Sequence, residues 1–101
     1  GEGGPTDHAL AVERYEAAAA RGSARALNGL GYEYFFGHTL PRNASKAFGY
    51  FEEAARSADH EDADALFNAA HCLDHGVGVA RDAPRAASLY ERAATRHGHF
   101  D

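Results

Sequence analysis

From residue 24 to residue 97 the apolar positions recur about every 3.6 residues. Leu27, Leu30, Gly31 and Tyr34 stand at i, i+3, i+4 and i+7, and Leu66, Ala69, Ala70 and Leu73 repeat that spacing. A second stripe follows each of these: Ala47, Phe48, Phe51, Ala54 and Ala55, then Ala86, Ala87, Tyr90, Ala93 and Ala94. Such spacing gathers apolar groups on one side of an α-helix, whereas a strand would alternate them. The pattern predicts five helices, over residues 7–21, 24–36, 44–58, 62–75 and 83–97. Glycine-containing turns, Gly37–Arg42 and Gly76–Arg81, join the predicted pairs. Gly76 and Gly78 suit the left-handed backbone that ends a helix. Asn43 and Asp82 stand where an N-cap is wanted, and Pro84 fits a first helical turn.

The pairs are copies of one unit. Residues 24–58 lie on residues 63–97 at a shift of 39. Ala24, Ala26, Leu27, Gly37, Arg42, Ala47, Glu52, Ala54 and Ala55 fall on Ala63, Ala65, Leu66, Gly76, Arg81, Ala86, Glu91, Ala93 and Ala94. The second half of the unit occurs once more upstream, at a shift of 36: Ala11, Val12, Tyr15, Glu16, Ala18 and Ala19 fall on Ala47, Phe48, Phe51, Glu52, Ala54 and Ala55. The three extra residues of the later spacing are expected in the polar Ser57–Asp62 connection. A period in the high thirties is that of a solenoid, in which each helix pair buries its apolar face only by stacking on the next. The expected organisation is a lead-in over 1–6, the second helix of a partial repeat over 7–23, full repeats over 24–62 and 63–98, and the start of another at 99–101. The expected fold class is all-α, an α-solenoid of antiparallel helix pairs, and the chain reads as a piece of a longer array.

Composition narrows the function classes. The 101 residues include 23 Ala and no Met or Trp, which favours helices whose backbones approach closely. A net charge of −5, with ten dispersed Lys and Arg, argues against nucleic acid. No apolar run is long enough for a membrane helix, and Gly1–Pro5 has no hydrophobic core of a signal peptide. The single cysteine, Cys72, leaves the redox compartment open.

The recurring residues resemble the Sel-1-like repeat family, relatives of tetratricopeptide repeats. The first full unit supplies Ala24, Ala26, Leu30, Gly31, Tyr34, Gly37, Lys46, Ala47, Phe51, Ala54 and Ala55 of that pattern. The second supplies Ala63, Ala65, Gly76, Gly78, Val79, Asp82, Ala86, Tyr90, Ala93 and Ala94. Departures are Thr39 in place of a glycine, Ala69-Ala70 in place of Leu-Gly, and Leu73 in place of Tyr. The segments Leu27–Tyr32, Asn43–Phe48 and Gly98–Phe100 resemble the branch that serves as luminal adaptor of an endoplasmic-reticulum ubiquitin-ligase complex. The resemblance implies a non-enzymatic protein-interaction scaffold in endoplasmic-reticulum-associated degradation, with protein or peptide partners and no cofactor. The alternatives are a generic bacterial or cytosolic adaptor, cytoplasmic or periplasmic, and a metal-dependent hydrolase. Self-association through repeat ends is a further expectation.

In tetratricopeptide-like stacks the first helix of each pair lines the inner surface. That resemblance implies a protein-binding face of Arg25, Asn28, Tyr32, Phe35 and Phe36 in one unit and Asp64, Phe67, His71, Asp74 and His75 in the next. Aromatic groups beside polar ones suit protein recognition, although Phe36 and Phe67 are equally satisfied by packing on neighbouring helices. His71 and His75 at i and i+4, near Cys72 and Asp74, have zinc-like spacing. A zinc site needs three or four convergent ligands, and no second cluster supplies them, so no metal residue is assigned. Asn43-Ala44-Ser45 is an N-glycosylation triplet on a predicted exposed turn, and equally an ordinary N-cap followed by a small residue. Glu16, Glu52 and Glu91 recur at equivalent positions, which marks a structural role, and no catalytic constellation emerges.

Overall fold

A computed structural model describes residues 5–37, 40–56 and 63–97. Those residues form five α-helices and no strand: α1 Pro5–Ala19, α2 Ala24–Phe36, α3 Ala44–Ala55, α4 Ala63–His75 and α5 Ala83–His97. The bounds of α2 and α5 are those expected from periodicity. α1 begins earlier than expected because Pro5 opens it, where a missing N–H costs nothing. It also ends earlier, in a glycine stop at Gly22 (φ 90°). There the Ser23 N–H donates to the Ala18 carbonyl at 3.2 Å and the Gly22 N–H to the Ala19 carbonyl at 2.8 Å. α3 ends at Ala55 rather than 58, with Arg56 as its cap. The expected connection at 57–62 and the expected new repeat at 99–101 lie outside the described residues.

The turn inside each unit is built twice from the same bonds. Gly37 (φ 70°) and Gly76 (φ 69°) leave α2 and α4 in the left-handed region. The Asn43 N–H then donates back to the Tyr34 carbonyl at 2.8 Å, and the Asp82 N–H to the Leu73 carbonyl at 2.9 Å. Arg42 Nε donates to the Phe35 carbonyl at 2.9 Å, and Arg81 Nε to the Asp74 carbonyl at 2.7 Å. Helix C-termini leave carbonyls without intrahelical donors, and these two guanidinium groups supply donors there. This accounts for the recurrence of arginine at 42 and 81. Asn43 Oδ1 and Asp82 Oδ1 then cap α3 and α5 by accepting from the N–H groups of Lys46 and Arg85 at 3.0 and 3.2 Å. Ser23 does the same for α2, accepting from the Ala26 N–H at 3.1 Å.

Each helix packs on its neighbours in sequence, and α2 also meets α4. The result is a stack with extents of 44 × 27 × 24 Å. Its centre is Leu66, Ala65, Ala69, Ala70, Cys72 and Leu73 of α4, pressed on Ala47, Phe51 and Ala54 of α3 and on Ala86, Leu89 and Ala93 of α5. Small residues set the spacing. A Cβ on Gly31 would come within 2.6 Å of Phe51 Cδ1, so the Phe51 ring lies where any larger residue on α2 would stand. Gly78 (φ 75°) lies against the Ala44 carbonyl and the Ser45 N–H, which seats the second unit's turn on the start of α3. The stripe expected on α5 is only partly covered. Ala87 is exposed, and Leu89, outside that stripe, is buried. The reason is positional: α3 is packed between α2 and α4, whereas α5 packs its backbone closely on α4 and reaches α3 through the Arg85–Glu52 ion pair.

Candidate functional site

The stack leaves a groove of about 200 Å³ between α2 and α4, with α3 beneath. α2 contributes Tyr32, Phe35 and Phe36, α3 contributes Phe51, and α4 contributes Phe67, Asn68, His71 and Cys72. Helical spacing explains the set: Tyr32 and Phe36 are one turn apart, as are Phe67 and His71. The rings brace one another. Tyr32 stacks on Phe36 with centroids 6.0 Å apart and meets the Phe51 edge at 5.8 Å, while Phe35 and Phe36 meet edge-on at 5.1 Å. Across the groove Phe67 leans on Tyr90 of α5 at 5.4 Å. Tyr32, Phe36 and Phe67 nonetheless stay 41%, 56% and 52% exposed. That is unusual for large apolar groups and clusters them on one surface.

The residues expected on the binding face divide into three groups. Tyr32, Phe35, Phe36, Phe67 and His71 line the groove together. Arg25 and Asp64 are exposed at the starts of α2 and α4, outside the lining. Asn28, Asp74 and His75 are placed otherwise. Asn28 is only 6% exposed, and its Oδ1 accepts from Asn68 Nδ2 at 3.0 Å, an amide bridge between the units. Asp74 accepts from the Tyr90 hydroxyl, and its carboxylate lies 3.9 Å from Arg81 and 3.8 Å from His75 Nε2. Burial raises the Tyr90 pKa, and the Asp74 charge and hydrogen bond raise it further. The His71 and His75 rings sit 4.4 Å apart, but no group of three metal-binding side chains occurs among the described residues.

Three lining residues were not foreseen from the sequence. Phe51 belongs to the expected packing stripe and is 2% exposed, yet it also lines the floor of the groove, in T-shaped contact with Tyr32. Cys72 is 1% exposed, and burial pushes its thiol pKa up, which makes it a poor nucleophile. Asn68 had a readable signal: it is an amide inside the apolar run Leu66–Ala70. Asn43 is exposed and its Oδ1 caps α3.

The Sel1 repeat model matches residues 1–23, 24–59 and 63–97. The chain belongs to the Sel1 repeat family. It is 32% identical over 85 residues to protein sel-1 homolog 2 of Mus musculus and 35% identical to the Homo sapiens protein. Each match covers 84% of this chain but 12% of the relative, so the chain spans a small part of those proteins. Two solved structures share its fold at a TM-score of 0.77 and 27% identity, over 84% of this chain. One is a protective antigen of uropathogenic Escherichia coli that displays an SLR fold, of which 18% is covered; the other is a Sel1 repeat protein from Oxalobacter formigenes, of which 33% is covered. The chain is thus an all-α solenoid of Sel1 repeats, a scaffold type that mediates protein interactions. No helix among the described residues is long and apolar enough to cross a membrane.

Proposed function

We propose that the chain holds a segment of a partner protein in the groove between α2 and α4. The observation that carries this reading is the exposure of Tyr32, Phe36 and Phe67 on one concave surface. Rigid aromatic anchors at a recess are the groups that dominate binding energy at protein interfaces. Changing Tyr32 and His71 together to Ala is expected to weaken partner binding by about tenfold or more. The helical melt should not move, because neither side chain is buried. Quantitative mass spectrometry of proteins captured by the parent chain and by the double variant checks this; an unchanged partner set would overturn it.

In its finer form the reading is a luminal adaptor, recruiting substrates or partners to a ubiquitin ligase in endoplasmic-reticulum-associated degradation. Similarity to the sel-1 homolog 2 proteins supports it, as does the exposed Asn43-Ala44-Ser45 triplet. Asn43 Oδ1 is engaged in the cap, and glycosylation takes place at Nδ2. Expression through a eukaryotic secretory pathway should add glycan mass that disappears in Asn43→Gln, whereas an unglycosylated product would count against the luminal location. The likeness to Escherichia coli and Oxalobacter formigenes structures favours a second reading, a bacterial Sel1 adaptor.

A further inference from the structure

The groove is lined by apolar and uncharged polar groups and a single histidine, in a chain of which 25% of residues are Asp, Glu, Lys or Arg. None of its lining residues is Asp, Glu, Lys or Arg. A complementary partner group is therefore uncharged as well, since a charge moved into an apolar recess without a counter-charge pays a large desolvation penalty. Aromatic faces do attract cations. Here, however, the Arg42 guanidinium already lies over the Phe35 ring, 5.4 Å from its centroid. That places a positive charge beside the groove, where a second cation would be repelled. An anion would be drawn to Arg42 at the rim, but inside the groove it meets electron-rich ring faces with no Lys or Arg among the lining residues, in a chain of net charge −5. At about 200 Å³ the space suits one bulky side chain. It is below the roughly 300–1,000 Å³ usual for drug-sized ligands.

Asn68 adds direction. One of its Nδ2 hydrogens goes to Asn28 Oδ1 at 3.0 Å, which fixes the amide. An Asn side chain has two donors and a carbonyl acceptor, so Asn68 brings hydrogen-bonding capacity beyond that one bond to a lining otherwise of Tyr and Phe rings, His71 and Cys72. Few, well-placed polar groups of this kind orient a ligand in an apolar site. We propose that the groove takes a neutral, bulky apolar side chain from an extended partner segment, with Asn68 hydrogen-bonded to the main-chain amide beside that side chain. Asn28 is a positioning residue that holds the Asn68 amide. This inference rests on the groove being the partner site.

The test uses N-acetyl-leucinamide, N-acetyl-lysinamide and toluene as probes, with the NMR signals of Tyr32, Phe67, Asn68 and His71 as readout. N-acetyl-leucinamide should bind at least about tenfold more tightly than N-acetyl-lysinamide. It should move the Asn68 side-chain amide signal, and toluene should leave that signal in place while moving the ring signals. Asn68→Ala should weaken N-acetyl-leucinamide by about tenfold and toluene by less than about twofold. The wild-type Asn68 signal serves as the readout if that variant is unstable. Equal binding of the lysine and leucine probes overturns the neutral-anchor proposal, and an Asn68 signal that responds alike to toluene overturns its amide part. If the double Tyr32/His71 variant still loses its partners, the groove reading survives either result. If no groove signal moves with any probe, the groove reading fails together with the inference.

Discussion

Asn28 and Phe67 occupy the same place in two copies of one unit, 39 residues apart, and have opposite fates. Asn28 lies under α4 and is bonded to Asn68, while Phe67 stands half in solvent against Tyr90. Sequence equivalence gives the register of a residue on its helix but not what covers it. The titratable groups show the same dependence on neighbours. Burial raises the pKa of Cys72; burial first, then Tyr34, Glu16 and Glu53 against an opposing Lys46, raises that of Tyr50; burial first, then Asp74, raises that of Tyr90. All three hold their protons more tightly in the folded chain than in the unfolded one. The stability they contribute is intact below the unfolded values, about 8.5 for Cys and about 10 for Tyr, and is lost as pH rises through the folded values. The urea midpoint is therefore expected to be level between about pH 7 and pH 8 and to fall above about pH 9. Cys72→Ala should remove the earliest part of that fall. A midpoint that rises with alkaline pH would contradict the assignment. Thiol titration should also find Cys72 unreactive until urea unfolds the chain.

At the scale of elements, helix ends matter more than helix interiors. The paired turns repeat their glycines, arginines and capping side chains bond for bond, so the hairpin is a fixed part. The joint between units depends on Gly78, whose missing Cβ leaves room for the start of α3. Gly78→Ala adds left-handed strain to a backbone clash and should destabilise the chain by more than about 2 kcal/mol. Gly49 offers the contrast. It sits on the exposed side of α3, a Cβ there would meet nothing within 4 Å, and its φ is not positive. Gly49→Ala should stabilise by about 0.5–1 kcal/mol, because alanine loses less entropy on entering a helix. Urea unfolding of both variants gives the two signs. The Arg85–Glu52 ion pair between α5 and α3 lies at the surface, and Arg85→Ala should cost no more than about 1 kcal/mol.

For the whole molecule, the stack behaves as a line rather than a globule. α1 touches α2 alone, whereas α4 is held by α2, α3 and α5. α4 also carries most of the fully covered side chains, including Leu66 and Leu73. In repeat proteins stability is a sum over units and their nearest-neighbour joints. Hydrogen exchange should accordingly be slowest in α4 and fastest in α1, graded along the chain. Uniform protection over all five helices would argue for a single cooperative core instead. The groove belongs to this scale too, since it exists only where α2 and α4 lie side by side over α3. Its shape should depend on the Asn28–Asn68 bridge as much as on the rings.

The period-3.6 stripes, the glycine stops and the 39-residue recurrence determined the helices, their pairing and the solenoid class. These features are local or copied, so they can be read along one dimension. The bounds of α1 were less legible, because a proline start and a glycine cap carry no apolar period. That Tyr32, Phe35, Phe67 and His71 share one surface was implied by the resemblance to tetratricopeptide-like stacks, and the four do line one groove. The withdrawal of Asn28 into an amide bridge and of Asp74 to Tyr90 was not, nor was the entry of Asn68 and Phe51 into the lining. Each of those depends on which helix lies across from which, and at what distance. Side-chain packing between units decides that, and residues far apart in the chain write it jointly.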